Sequence, residues 1–348
     1  MGLDTEFERV ALDLDDAFRI SRGTTERTEN VIVRIGDGEH VGIGGAAPSA
    51  RYGETADSTA RALPDLLAIV EDVGDPHALA RVDRRMAEAA PGEAAARAAV
   101  SIAVHDLAAK RLGVPLYRYW GLDPERAPTS SFTVGLDDPG AMAAKARSAV
   151  EAGFSVLKVK LGAVGETRPR ECVETVREAA PEATIRADAN EAWNPDEAVQ
   201  VIEDIASHGV EFVEQPVPAD DPAGLARVWD GSPVPIAVDE SCLVATDVPA
   251  VADRADVVVV KLMKTGGLRE AIRTIHAARA HDLDVMLGCM VESNASLSAA
   301  AHLAPMAEYA DLDGSLLLAD DPYAGVPMPG GAIDLGAVDR PGTGTARN

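Results

Sequence analysis

Eight short β-branched runs alternating with alanine-rich amphipathic stretches predict an α/β protein, a closed (β/α) barrel behind a smaller N-terminal α+β domain. The runs recur between Thr129 and Leu316 at intervals of roughly 25 residues, the spacing of strand-helix units. None is followed by a G-x-G-x-x-G or G-x-x-x-x-G-K-S/T turn, which counts against the doubly wound sheet that is the other candidate. The first 125 residues lack the alternation, so the expected division is 1–125, 126–320 for the barrel, and a returning segment 321–348.

In chain order, NVIVRI (30–35) and HVGIGGA (40–46) read as strands, and SRGTTERTE (21–29) before them reads as mobile. Residues 92–113 have the apolar spacing of a helix, stopped by Gly113 and Pro115. The barrel strands are expected in SFTVGL (131–136), SVLKVKL (155–161), ATIRADAN (183–190), EFVEQP (211–216), PIAVDES (235–241), VVVVKL (257–262), DVMLGCM (284–290) and ADLDGSL (310–316). The last residues, rich in Gly and Pro, either run back over the N-terminal domain or fray.

Composition narrows the partners. A formal net charge of -25 repels nucleic-acid phosphates and anionic lipid, and fits a protein adapted to high salt. No apolar run is long enough to span a bilayer and no signal-peptide pattern opens the chain, so the expected compartment is the cytoplasm. A homo-oligomer is left open. Cys172, Cys242 and Cys289 are scattered thiols, suggesting neither a disulfide framework nor a zinc knuckle. Lysine is scarce beside arginine, yet Lys158, Lys160, Lys261 and Lys264 all fall in apolar, strand-like stretches. A compact, titratable ammonium is a property that arginine lacks.

Barrel chemistry sits at the C-terminal ends of the strands. There the second strand offers Lys158 and Lys160, the third Asp188 and Asn190, and the fourth Glu214. The fifth ends in Asp239 and Glu240, the sixth in Lys261, the seventh close to Glu292, and the eighth in Asp311 and Asp313. Asp188, Glu214 and Asp239 come from adjacent strands, and three converging carboxylates call for a divalent cation. An all-oxygen set with no histidine suits Mg²⁺ rather than zinc.

The second and sixth strands stand half a ring apart, so Lys160 and Lys261 should face each other across the mouth. Two bases on opposite faces of one carbon are what a 1,1-proton transfer requires, and repulsion, burial and the metal should lower their pKa towards that of a general base. Lys158, on the same side of its strand as Lys160, should tune it and reach the developing oxyanion. The enediolate left when a carboxylate loses its α-proton needs the cation and the lysines to hold its charge.

The K-x-K of strand two, DAN, VEQP, VDES and VVKLMKTGG, with HVGIGGAAPSARYGET and HDLAAKRLGVPLYRYWG in the N-terminal part, resemble the muconate-lactonizing subgroup of the enolase superfamily. Within it the chain is most similar to dipeptide epimerases. The resemblance implies an enolase-type modified TIM barrel with a capping domain, Lys160 and Lys261 as the acid/base pair, and Asp188, Glu214 and Asp239 as ligands of Mg²⁺. It further implies that Asp311 and Asp313 hold the ammonium of a dipeptide, and it places Arg22 where some members bind an acidic side chain of the substrate. Strand eight lies opposite strand four, so a carboxylate-bound substrate would extend towards those aspartates.

Asn190 and Glu240 are expected to support the ligands. Tyr52, with Arg51, either closes over the substrate or belongs to a surface turn; Glu292 either backs a lysine or is a solvated loop residue. Other small-molecule carboxylate chemistry on the same scaffold stays open: N-acylamino acid racemisation, cycloisomerisation, or dehydration as in o-succinylbenzoate synthesis. So do a Schiff-base aldolase using Lys261 and a non-catalytic binding barrel.

Overall fold

The computed structural model describes residues 2–162 and 168–348. The chain opens with an antiparallel sheet of β1 (Asp4–Ile20), β2 (Gly23–Gly36) and β3 (Val41–Ala46), in that order. The stretch expected to be mobile lies largely within β2, its residues pairing with β1 so that Leu12 faces Thr28 and Phe18 faces Thr25. A two-stranded ribbon whose faces are both partly wet has no clean apolar alternation, which is why its threonine-rich pattern reads as loop.

Three helices follow, α1 (Ala56–Val73), α2 (Leu79–Ala89) and α3 (Ala94–Arg111), then the short α4 (Leu116–Tyr119). The alanines of α3 let it lie directly on β3. A Cβ on Gly42 would fall 2.0 Å from the carbonyl oxygen of Ala103, and one on Gly44 2.1 Å from that of Ala99, so both positions require glycine.

The barrel runs β4 (Phe132–Val134), α5 (Pro139–Glu151), β5 (Val156–Lys160), α6 (Pro169–Ala179), β6 (Thr184–Asp188), α7 (Pro195–Ala206), β7 (Val210–Glu214) and α8 (Pro222–Gly231). It continues with β8 (Ile236–Val238), α9 (Val248–Val251), β9 (Val257–Val260), α10 (Leu262–Thr265), α11 (Leu268–Ala280), β10 (Asp284–Gly288), α12 (Asn294–Ala301) and β11 (Tyr309–Asp311). All eight expected strands are present and pair in chain order in one parallel sheet. A parallel bridge between Ser130 and Ala310 joins the first strand to the last and closes the ring.

Local sequence starts several of the helices. Asp138, Asn194 and Asp221 each precede a proline at the first helical position and accept a hydrogen bond from the third residue beyond, Ala141, Glu197 and Gly224. Period-two alternation then sorts the strands. Leu157, Val159, Ile185, Ala187 and Val213 join the core shared with the helices, whereas Phe212, Ala237, Val257, Val259 and Met286 pack together inside the ring. The Arg186 guanidinium lies 5.4 Å from the ring centre of Phe212 and 5.0 Å from that of Tyr309.

Beyond β11 come two short paired strands, β12 (Tyr323–Ala324) and β13 (Ala346–Arg347). This terminal segment packs on the N-terminal domain: Leu116 N donates to Gly342 O at 2.7 Å and Thr343 N to Asp106 Oδ1 at 2.7 Å. Among the described residues no helix is long and apolar enough to cross a membrane.

Candidate active site

Strand register assembles the mouth of the barrel. Lys160 pairs laterally with Asp188, Asp188 with Glu214, and Glu214 with Ala237, two residues before Asp239. A period of two turns Lys158 and Lys160 to the inside while Leu157 and Val159 face the helices. The Lys160 ammonium donates to Asp188 Oδ2 at 2.6 Å. Across the ring, Lys261 at the end of β9 donates to Asp239 Oδ2 at 2.8 Å. Both lysines line a single cavity of about 220 Å³.

Lys158 lies deeper, 1% exposed, with its ammonium 2.7 Å from Glu214, 2.8 Å from Asp311 and 3.2 Å from Asp188. It is the common counter-ion of three carboxylates, a different duty from tuning Lys160. Lys264 lies just past β9, in α10. Its buried ammonium contacts Asp239 Oδ1 at 2.6 Å and donates to the carbonyl oxygens of Asp239, Cys242 and Val259, tying β8 to β9.

Carboxylates and lysines share the mouth. Burial disfavours the ammonium forms of Lys158 and Lys261, but Asp311, Glu214 and Asp188 around the first and Asp239 beside the second outweigh it, holding both well above the ordinary lysine value. The expected lowering counts on a cation beside Lys160 and Lys261; among the side chains alone, carboxylates outnumber lysines at the mouth. Burial also raises all three carboxyls. Lys160 and Lys158 overcome that at Asp188, and Lys261 and Lys264 at Asp239, so both fall below the usual range. Glu214, buried and beside Asp188, is pushed up.

Asp188, Glu214 and Asp239 fit a hard divalent cation by two marks. They form an all-oxygen donor set on adjacent strands, and both oxygens of Glu214, with Asp239 Oδ1, are buried without an aligned hydrogen-bond donor, the lysine contacts being ionic. As the side chains stand, no three His, Cys, Asp or Glu among the described residues close around one point. Asn190 supports Asp188, donating from its backbone N at 2.9 Å and from Nδ2 at 3.3 Å.

At the far end of the cavity, β4 contributes hydroxyl residues. Ser131 Oγ donates to Asp311 Oδ1 at 2.6 Å, and the backbone N of Thr133 donates to Asp313 Oδ2 at 2.6 Å. Asp311 is already matched by Lys158, whereas Asp313 has no ion-pair partner among the described residues. Sequence reasoning passed over Ser131 and Thr133 because only charge was sought at the strand ends.

The remaining candidates lie around this set. Arg22 reaches the cavity wall, but its Nη1 contacts Asn190 O at 3.1 Å, Glu191 Oε2 at 3.2 Å and Glu240 Oε1 at 2.8 Å. Tyr52 packs beneath the Arg51 guanidinium on the side of Asp239 and Lys261, and burial, reinforced by Asp239, pushes its phenol up. Glu292 is buried, accepting from Met290 N at 3.0 Å and from Ser296 Oγ, and stands near enough to Lys261 to feel its charge, so it is not the solvated loop residue that was the other expectation. Cys289 is half-buried on the cavity wall.

Two further residues position the rim. Glu191 takes both Arg51 Nε (2.6 Å) and Nη2 (2.7 Å) and accepts from Ala219 N at 2.9 Å. Asn190 and Glu191 have φ of 46° and 66°, a left-handed pair that turns the chain over the rim. Gln215, with φ 37°, accepts from the backbone N of Asp239 and Ser241 through Oε1 and so fixes the end of β8. The signals were the Glu after DAN and the Gln of VEQP, neither of which stands out as a charge at a strand end.

Residues 141–347 match the family model for enolase C-terminal domain-like proteins, and residues 5–121 match that for the mandelate racemase/muconate lactonizing enzyme N-terminal domain. The chain is 35% identical over 337 residues to an L-Ala-D/L-Glu epimerase of Bacteroides thetaiotaomicron, covering 97% of this chain and 86% of that protein. It is 35% identical over 351 residues to a hydrophobic dipeptide epimerase of Roseobacter litoralis, covering 98% of each. Among solved structures, a dipeptide epimerase from Enterococcus faecalis V583 complexed with Mg and L-Leu-L-Tyr superposes with a TM-score of 0.92, at 32% identity and full coverage of both chains.

Proposed function

The chain belongs to the mandelate racemase/muconate lactonizing enzyme family, and from that membership we propose an isomerase that epimerises a dipeptide, with Mg²⁺, at the α-carbon next to its carboxylate. The observation that carries this reading is the placement of Lys160 and Lys261 on strands half a ring apart, lining one cavity that Asp311 and Asp313 also line.

Asp188, Glu214 and Asp239 would hold Mg²⁺, which when bound stabilises the negative charge that gathers on the substrate carboxylate as the α-proton leaves. One of Lys160 and Lys261, as the neutral amine, takes that proton; the other, as ammonium, returns a proton to the opposite face, and the carbon inverts. The roles exchange for the reverse reaction. Gln215 and Lys264 keep Asp239 in place, and Asn190 does the same for Asp188. Beyond the α-carbon, Asp313 with Asp311 receives the N-terminal ammonium. An N-acylated amino acid would set an uncharged acyl group against Asp313, so the free dipeptide is the better complement.

The test is incubation of the protein with Mg²⁺ and L,L-dipeptides in D₂O, followed by NMR. Deuterium at the C-terminal residue's α-carbon together with growth of the L,D-epimer is expected. Full retention of the α-proton across a dipeptide library would overturn the reading.

A further inference from the structure

We infer that Asp321, in the segment beyond the barrel, is a positioning residue for the base Lys261. This rests on the reading above, which makes Lys261 one of the two groups that handle the α-proton. The stem of Lys261 lies against the end of β10. A Cβ on Gly288 would fall 2.9 Å from Lys261 Cε and 3.2 Å from Cγ, so the lysine crosses that glycine on its way to the cavity. The ammonium is therefore aimed by where the end of β10 stands.

Residues 289–293, which follow Gly288, belong to neither strand nor helix, and Cys289, Met290 and Val291 among them line the cavity together with Lys261. Such a loop keeps its place through side-chain and backbone contacts rather than a ladder. Within it Glu292 bonds to Met290 N and Ser296 Oγ, tying the loop to α12. Its far end is Ser293, the N-cap of α12, whose backbone N donates to Asn30 Oδ1 on β2 at 3.1 Å. The remaining hold is Asp321. Its Oδ1 accepts from Ser293 Oγ at 2.6 Å and from Tyr323 N at 3.0 Å, and its Oδ2 accepts from Asn294 N at 2.7 Å and from Asn294 Nδ2 at 3.0 Å. Three of these four donors belong to the start of α12, and a carboxylate makes each bond stronger than a neutral acceptor would. Without Asp321, Ser293 is left to Asn30 alone, and the loop that continues from the seat of Lys261 loses its anchor.

The experiment follows α-proton exchange in D₂O from L-Ala-L-Leu and L-Ala-D-Leu separately, on the full chain with Mg²⁺. The epimer that Lys261 serves is the one whose exchange is lost in Lys261→Ala. Asp321→Ala should slow exchange of that epimer by about tenfold and leave the other within about twofold, because a small misplacement of one base does not reach the base on the opposite wall. Ser293→Ala, which removes one of the four bonds, should show the same asymmetry at about threefold. A merely structural role would slow both epimers alike. Equal slowing, or no slowing in either variant, overturns the inference, and Ser293→Ala decides if Asp321→Ala does not fold. If wild type exchanges neither epimer, the epimerase reading falls, and the anchor is then read from amide hydrogen exchange of residues 289–294. Faster exchange there in Asp321→Ala, by about tenfold, is expected, and unchanged protection overturns the anchor as well.

Discussion

The barrel mouth and the seam beneath the N-terminal domain both bury titratable side chains, and they deal with them in opposite ways. At the mouth, Lys158, Asp188, Asp239 and Lys261 keep their charges in view of one another, linked by ion contacts of 2.6–3.2 Å, and only Glu214 among the proposed metal ligands is pushed up. In the seam, His105 on α3 donates from Nδ1 to Ser101 O at 2.7 Å, and His302 accepts the backbone N–H of Tyr117. Neither histidine has a partner on Nε2, and burial pushes both down to about 4, so they stay neutral. Glu54, packed against the start of α3 where it accepts from Ala95 N, is pushed up to about 7 because burial outweighs that donor and Arg97. A lone buried group sheds its charge; a cluster of opposite signs keeps it. Chemistry that handles protons and anions therefore belongs at the mouth.

The sharpest way to break the contrast is to remove one base. Lys160→Ala or Lys261→Ala should each lower the epimerisation rate by about 10³-fold, the usual scale for a lost general base, while still exchanging the α-proton of one epimer but not the other. Stereoresolved NMR in D₂O reads this, and a variant that exchanges both epimers equally would refute the two-sided arrangement.

Next in size is the counter-ion. Lys158→Met leaves Asp188, Glu214 and Asp311 without their shared cation and should cost roughly 3–5 kcal/mol of stability, the range for breaking a buried ion pair. Urea unfolding in EDTA should show the full loss and added Mg²⁺ should recover part of it, since a cation on Asp188 and Glu214 relieves the same repulsion.

The seam gives the smallest effect, with a definite sign. The folded histidines refuse a proton that the unfolded chain accepts below its ordinary value of 6.5, so each withdraws stability as pH falls from about 6.5 to about 4. The shift corresponds to about 3 kcal/mol per histidine at the acid end of that window. Glu54 acts the other way, its contribution being lost as pH rises from about 4.5 to about 7. His302→Asn, which keeps an acceptor for Tyr117, should flatten the acid slope by about one proton, read from urea midpoints between pH 6.5 and 4.5. An unchanged slope would show that His302 titrates normally.

The mouth was more legible than its cover. A barrel strand is a short local pattern, and a charge at its end is conspicuous because its neighbours are Val and Leu, so Lys160, Asp188, Glu214, Asp239 and Lys261 could be picked out singly. Phe18, Ile20, Thr25 and Thr28 could not. They reach the cavity from a ribbon whose pairing, Phe18 to Thr25 and Leu12 to Thr28, shifts register partway along, and no local periodicity reports that shift.

By itself the sequence determined the order of eight strands, the helix starts at Asp-Pro and Asn-Pro, and the charge each strand carries to the rim, because these follow from spacing of two and from residues in immediate succession. Only the tertiary structure decided which charges neutralise which. Lys158 serves Asp311, 153 residues away, and Arg22 contacts Glu191, 169 residues away. Coulomb attraction and hydrogen bonding depend on separation in space, and closing the ring is what converts distant positions in the chain into neighbours.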